Sequence, residues 1–158
     1  PVLNMTPLMD QILRQDEGAS AAPVDIRPQT EPLILIVDDS LTMRVALTQT
    51  LEHAGYIVLA ARDGHEALEL IRVHGVPRLV TLDLEMPRMD GLETLYAIRH
   101  TLGGEAIPIF MLTSRTGQQH QRTAMTLGAT RYFIKPYHDR EFLQAVQEAT
   151  GATLRPAG

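Results

Sequence analysis

Cysteine is absent from this chain. That removes disulfide frameworks and thiolate chemistry, and it is compatible with a reducing cytoplasm, the expected compartment. No apolar stretch approaches the length of a membrane span and no signal-peptide pattern is present, so no membrane association is expected. Strong charge is lacking too. A net charge of −5 over 158 residues offers no basic field, so nucleic acid is not an expected partner. No internal repeat or low-complexity block stands out. The chain starts at Pro1 without an initiator methionine, which reads as a processed product or a piece of something longer. What is present is an ordinary globular composition, long enough to bury a core without staples.

Residues 1–32 differ from the rest, holding five of the ten prolines and the small-residue run 18–22. Residues 16–31 read as an extended linker. Before it, residues 1–5 suggest a short strand and 8–13 a short helical turn. Neither buries much by itself, so residues 1–15 read as the edge of a preceding domain. From Leu33 apolar runs alternate with helical patterns. Strands are predicted at 33–37, 57–60, 79–82, 107–112 and 131–134, and helices at about 41–53, 64–74, 91–101, 117–127 and 139–149. In the first helix Leu41, Val45, Leu47, Leu51 and Ala54 fall mostly on one face, and in the last Phe142, Leu143, Val146 and Ala149 do. Gly55, Gly75, Gly103-Gly104 and Gly128 sit where helix C-caps are wanted. Alternating strands and helices mean βαβ units, right-handed crossovers and a parallel sheet covered on both faces: an α/β, doubly wound fold.

The residues just past each strand carry the chemistry. The first strand ends in Asp38-Asp39, the third in Asp83, the fourth in Thr113-Ser114 and the fifth in Lys135-Pro136. In a doubly wound sheet these carboxyl ends converge on one rim. Taken singly, each has a plainer reading: Asp83 as a solvated turn acid, the Asp pair with Ser40 as a helix N-cap, Lys-Pro as a loop. Together, the carboxylates repel one another, and a hard divalent cation with oxygen ligands explains them most simply. A hydroxyl and a lysine on the same rim are what phosphoryl oxygens want.

Leu35-Ile-Val-Asp-Asp-Ser40, Leu82-Asp-Leu-Glu-Met-Pro-Arg-Met-Asp-Gly91, Met111-Leu-Thr-Ser114 and Tyr132-Phe-Ile-Lys-Pro136 resemble the receiver domain of two-component signalling. The resemblance covers about residues 32–150, leaving 151–158 as a tail. It implies a flavodoxin-like (βα)5 sandwich with strand order 2-1-3-4-5. It also implies that Asp83 is the phosphoacceptor, and that Asp38, Asp39, Asp83 and the backbone carbonyl of Glu85 hold Mg²⁺, for which Mn²⁺ can substitute. Thr113 and Lys135 would contact the aspartyl phosphate, and Tyr132, with Thr113, would form the switch. The Lys135–Pro136 peptide is typically cis in this family. The readout face would be helix 4, strand 5 and helix 5. Glu85, two residues after the acceptor, is expected to influence phosphoryl lifetime. The fourth helix, polar over 116–123, is expected to be mobile or to meet a partner, or else to be a short solvated helix. His120 and the other histidines are not spaced as metal ligands.

A finer resemblance concerns context. Residues 111–115, 119–122 and 135–137 look like receivers fused to the C-terminus of chemotaxis-type hybrid histidine kinases, and residues 1–9 are similar to the end of a coupling-protein-like regulatory domain. That implies a parent histidine kinase, a transferase, with its phosphohistidine donor possibly in the same chain, and chemotaxis or motility proteins as partners. The chain itself would catalyse only its own phosphorylation and dephosphorylation, as a monomer or weak homodimer. A stand-alone regulator and a docking or dimerisation module are the alternatives. The full set of Asp38, Asp39, Asp83, Thr113 and Lys135 argues against the module, because degenerate receivers usually lack one or more. An aspartyl-phosphate phosphatase shares the nucleophile chemistry but would want a substrate cap domain.

Overall fold

The computed structural model of the chain describes residues 33–86, 89–101, 104–114 and 116–151. The strand and helix expected in residues 1–15, the linker at 16–31 and the tail from 152 onward lie outside the described residues. Among the described residues five strands alternate with five helices: β1 Leu33–Val37, α1 Leu41–His53, β2 Ile57–Ala61, α2 Gly64–His74, β3 Leu79–Leu82, α3 Gly91–Arg99, β4 Ile109–Thr113, α4 Gln118–Thr126, β5 Arg131–Ile134 and α5 Asp139–Thr150. A 3-10 turn, Gly104–Ala106, precedes β4. All strand pairs are parallel and the order is β2-β1-β3-β4-β5. This is the doubly wound sandwich that the alternation predicts, in the flavodoxin-like strand order that the resemblance implies.

β1, β3 and β4 are mostly apolar, with Thr81 and Thr113 the buried exceptions, because both of their faces are covered, whereas β2 and β5 are the edges and keep exposed positions at Ala60, Arg131 and Ile134. Side chains alternate across the sheet and feed two cores. On one face Leu35, Val37, Val80, Leu82, Ile109 and Met111 meet α2, α3 and Ala124 of α4. On the other, Ile34, Ile36, Leu79, Phe110, Leu112 and Phe133 meet α1 and α5 through Leu47, Leu51, Phe142, Ala145 and Val146. Arg99, the last residue of α3, binds the first face together: its guanidinium donates to the carbonyls of Gly128, Gly104 and Ile107.

Four expectations need correction. β4 begins at Ile109, not 107, because Pro108 has no N–H to give a ladder, and it runs through Thr113. Thr113 is thus the last residue of the strand rather than the first beyond it. α3 stops at Arg99 and is capped by His100. Gly104 therefore lies in the 3-10 turn and caps nothing. A side chain there would meet the Ile98 carbonyl oxygen at 1.7 Å, so close backbone approach is what requires glycine. In α1, Leu47 and Leu51 are buried but Leu41 and Val45 are 67% and 48% exposed. Those two lie four residues apart on a second stripe that faces away from the sheet.

Candidate functional site

Asp38 follows β1 and is 2% exposed, and each of its polar groups is tied. Its N–H donates to Ala61 at 3.1 Å, and its carbonyl accepts from the Arg44 guanidinium at 2.7 Å. One carboxylate oxygen accepts the Ser40 N–H at 2.9 Å and the other faces Lys135 Nζ at 3.2 Å. Ser40 is at the same time the N-cap of α1, its hydroxyl accepting from Met43 N–H at 3.2 Å. The capping role therefore belongs to Ser40, which leaves the two aspartates for the rim. Asp39 is exposed.

Asp83 follows β3, 7% exposed, with its N–H on the Val37 carbonyl at 2.9 Å. Burial pushes its carboxyl up to about 6, and Asp38 and Asp39 add to the shift; Lys135 and the Glu85 backbone N–H pull the other way. Lys135 Nζ stands 3.7 Å from Asp83 Oδ1. The turn back into α3 runs directly over this backbone. A side chain at Gly91 would come within 2.3 Å of the Asp83 carbonyl oxygen, so only glycine lets the helix start there. Asp90 caps that helix in a capping box with Glu93.

One carboxylate oxygen from each of Asp38, Asp39 and Asp83 lies within 4.8 Å of the others. Three hard oxygen donors at this spacing, two of them buried, fit a divalent cation of the Mg²⁺ type. Thr113 is fully buried at the end of β4, and its carbonyl accepts the Lys135 N–H at 2.8 Å, joining the β4 and β5 ends. The Lys135–Pro136 peptide is cis. Tyr132 is half-buried and packs against the α2–α4 core. Glu85 is exposed, and the Ser114 hydroxyl donates to it at 3.4 Å. A cleft of about 460 Å³ opens beside Asp39, lined by Glu85, Met86, Asp90 and His120.

The rim thus brings together Asp38, Asp39, Asp83 and Lys135, with Thr113 fixed to the Lys135 backbone. The model of the response regulator receiver domain matches residues 34–147. The chain belongs to the response regulator receiver domain family. Response regulator MprA of Mycobacterium sp. (strain KMS) is 41% identical over 110 residues, which is 70% of this chain and 46% of that protein. Transcriptional regulatory protein CpxR of Escherichia coli (strain K12) is 36% identical over 114 residues, 72% of this chain and 47% of that one. The chain spans about half the length of the curated relatives it matches. Among solved structures, chemotaxis protein CheY4 of Vibrio cholerae superposes with a TM-score of 0.72 at 32% identity, covering 76% of this chain and 99% of that one. The signal receiver domain of a signal transduction histidine kinase from Syntrophus aciditrophicus gives 0.70 at 28% identity, covering 76% and 90%. A receiver domain implies a histidine kinase as phosphodonor. Among the described residues no helix is long and apolar enough to cross a membrane.

Two features of this receiver domain escaped the sequence reading. Arg44 touches the Asp38 carbonyl from the first turn of α1, a contact that no motif announces. Lys135 is also the only lysine among the 14 basic residues of the chain, a signal that was available by counting.

Proposed function

We propose that this receiver domain accepts a phosphoryl group from a phosphohistidine onto Asp83, and that Lys135 is the group that makes the transfer possible. The observation that carries the reading is the one ammonium held between Asp38 at 3.2 Å and Asp83 at 3.7 Å, on a rim where carboxylates otherwise repel. An oxygen of Asp83 attacks the phosphorus, the P–N bond breaks, and its electron pair returns to the imidazole, leaving an acyl phosphate. Such a transfer needs positioning and charge compensation more than covalent help. Asp38, Asp39, Asp83 and the Glu85 carbonyl would hold Mg²⁺, or Mn²⁺ in its place; when bound, the cation keeps the carboxylates ionised and offsets charge on the phosphoryl oxygens. Lys135 pairs with those oxygens, and the Thr113 hydroxyl donates to one of them.

Phosphorylation adds charge and acceptor oxygens at one point of the rim. As Thr113 moves toward them, the space it leaves admits Tyr132, and the face formed by α4, β5 and α5 carries the readout. Glu85, at the mouth, tunes how long the acyl phosphate survives.

Incubation with acetyl phosphate and Mg²⁺ is expected to add one phosphoryl group by intact mass, and Asp83→Asn to add none. Equal adduct on wild type and Asp83→Asn would remove Asp83 from the mechanism.

The parent context is a further part of the proposal. Residues 1–15 belong to a preceding coupling-protein-like regulatory domain, 16–31 to a linker, 32–150 to the receiver and 151–158 to a tail. The parent is a chemotaxis-type hybrid histidine kinase located in the cytoplasm, with chemotaxis or motility proteins as partners. The phrases at 1–9, 111–115, 119–122 and 135–137 support it. The reading frame upstream of Pro1 decides it: a kinase domain there agrees, and a start codon close by makes the chain a stand-alone regulator.

A further inference from the structure

Arg44 sits in the first turn of α1, where a cation is electrostatically misplaced. The N-terminal end of a helix carries partial positive charge, and an arginine there costs roughly 0.3–1 kcal/mol relative to an acid or neutral residue. No acidic residue in the first turn of α1 offsets it. Local rules are broken where a site needs them broken. The side chain follows the usual backward lean of helical residues and reaches the Asp38 carbonyl, six residues earlier, at 2.7 Å. The backbone N–H of Arg44 meanwhile makes the first helical bond of α1, to the Ser40 carbonyl at 2.9 Å.

The Asp38 carbonyl belongs to the peptide that joins Asp38 to Asp39. Holding that oxygen fixes the plane of the peptide, and the plane sets the direction in which Asp39 leaves the backbone. Asp38 has three other ties, to Ala61, Ser40 and Lys135, and all of them act on its own N–H or carboxylate. Among the described residues only the Arg44 contact acts on the link to Asp39, whose carboxylate is the exposed member of the cluster. We infer that Arg44 is a positioning residue for the cation site: by clamping the Asp38–Asp39 peptide it presents both carboxylates at ligand spacing before the cation arrives. The inference rests on the proposed Mg²⁺ site and goes one layer behind it.

Two effects of Arg44 on the cation oppose each other. Its charge repels a divalent ion, whereas its hydrogen bond preorganises the ligands. Removal separates them by sign, because loss of charge alone tightens binding and loss of order weakens it. The probe is Mn²⁺ titrated into wild type, Arg44→Met and Asp39→Asn, with free ion read by electron paramagnetic resonance and metal-free stability measured in parallel. Arg44→Met is expected to bind Mn²⁺ about tenfold more weakly, the scale for losing a group that orients a metal ligand. Phosphorylation by acetyl phosphate at saturating metal should stay within about twofold of wild type, since the reacting groups are intact. Unchanged or tighter Mn²⁺ binding by Arg44→Met overturns the inference, even if the variant is less stable, because the contact then only satisfies a buried carbonyl. Should Arg44→Met not fold, Arg44→Lys keeps the charge and loses the planar fork; its expected affinity is about two- to fivefold weaker, and wild-type affinity overturns the inference. Wild type and Asp39→Asn binding alike, or neither binding, removes the cation site itself and this inference with it.

Discussion

The two faces of the sheet are filled differently. All three phenylalanines of the chain, Phe110, Phe133 and Phe142, lie in the core under α1 and α5. Their rings interlock, Phe133 meeting Phe110 at 5.5 Å and Phe142 edge-on at 5.8 Å between centroids. The core under α2, α3 and α4 is aliphatic, and α4 contributes a single buried residue, Ala124. Neither α4 nor α5 has a side-chain cap at its N-terminus, so the number of buried residues, one against four, separates the two helices. The strand alternation divides the site the same way. Ile36, Leu79 and Phe133 belong to the α1/α5 face, and continuing their alternation reaches Asp38, Asp83 and Lys135; Thr113 follows Met111 on the opposite face, where Tyr132 also packs. The groups proposed to do the chemistry extend from the aromatic side, and the groups proposed to respond extend from the side with the loosely held helix. Positioning needs rigidity and switching needs a second arrangement of nearly equal energy, and the two faces supply one each.

The largest test of this division compares the cores directly. Phe142→Ala should destabilise the chain by about 3–5 kcal/mol, while Ala124→Gly should cost about 1 kcal/mol. Both are read from urea midpoints at constant slope, and equal losses would erase the distinction. A smaller effect isolates the rim from the core beneath it. Asp83 has its pKa raised from 3.8 to about 6 by burial and then by its acidic neighbours. The folded chain therefore holds this proton more tightly than the unfolded chain, so ionised Asp83 opposes folding above about pH 6, and the penalty vanishes below pH 3.8. With divalent cations removed, Asp83→Asn should be more stable than wild type at pH 7 by on the order of 3 kcal/mol, with the advantage gone near pH 4. A variant no more stable than wild type at pH 7 would mean that the carboxyl is not strained there. The smallest effect concerns Thr81, on the aromatic side of β3, whose buried hydroxyl has no hydrogen-bond partner. Thr81→Val should be neutral or stabilising by up to about 1 kcal/mol; a loss larger than that would reveal a partner for the hydroxyl.

Much of this was legible in the sequence. Apolar runs bounded by glycine, proline and capping residues located α1 and β3 to the residue, because Ser40 and Asp83 mark abrupt changes from one environment to another. The site was legible for the same reason: acids, a hydroxyl and a lysine stood at strand ends where a core has no use for them. What failed depended on partners distant in sequence. Leu41 and Val45 have the same apolar character as Leu47 and Leu51, and only the docking angle of α1 decides which stripe is covered. Gly104 reads as a cap in the sequence because its real constraint, the Ile98 carbonyl, is a through-space contact. Arg44 carries no signal in the sequence because its bond goes to a backbone atom and leaves no pattern in residue types.

The ammonium between Asp38 and Asp83 has a practical consequence. Of the 14 basic residues 13 are arginine and one is Lys135. Guanidinium groups stay protonated and do not react with amine-directed acylating reagents at neutral pH. Such a reagent therefore has a single side-chain target in this sequence, and the acyl group it delivers there cancels the positive charge that faces Asp38 and Asp83, the proposed acceptor. On the proposed mechanism, coupling dyes or surfaces through lysine would inactivate the molecule being observed, and phosphoryl loading would be followed by how well it shields that amine.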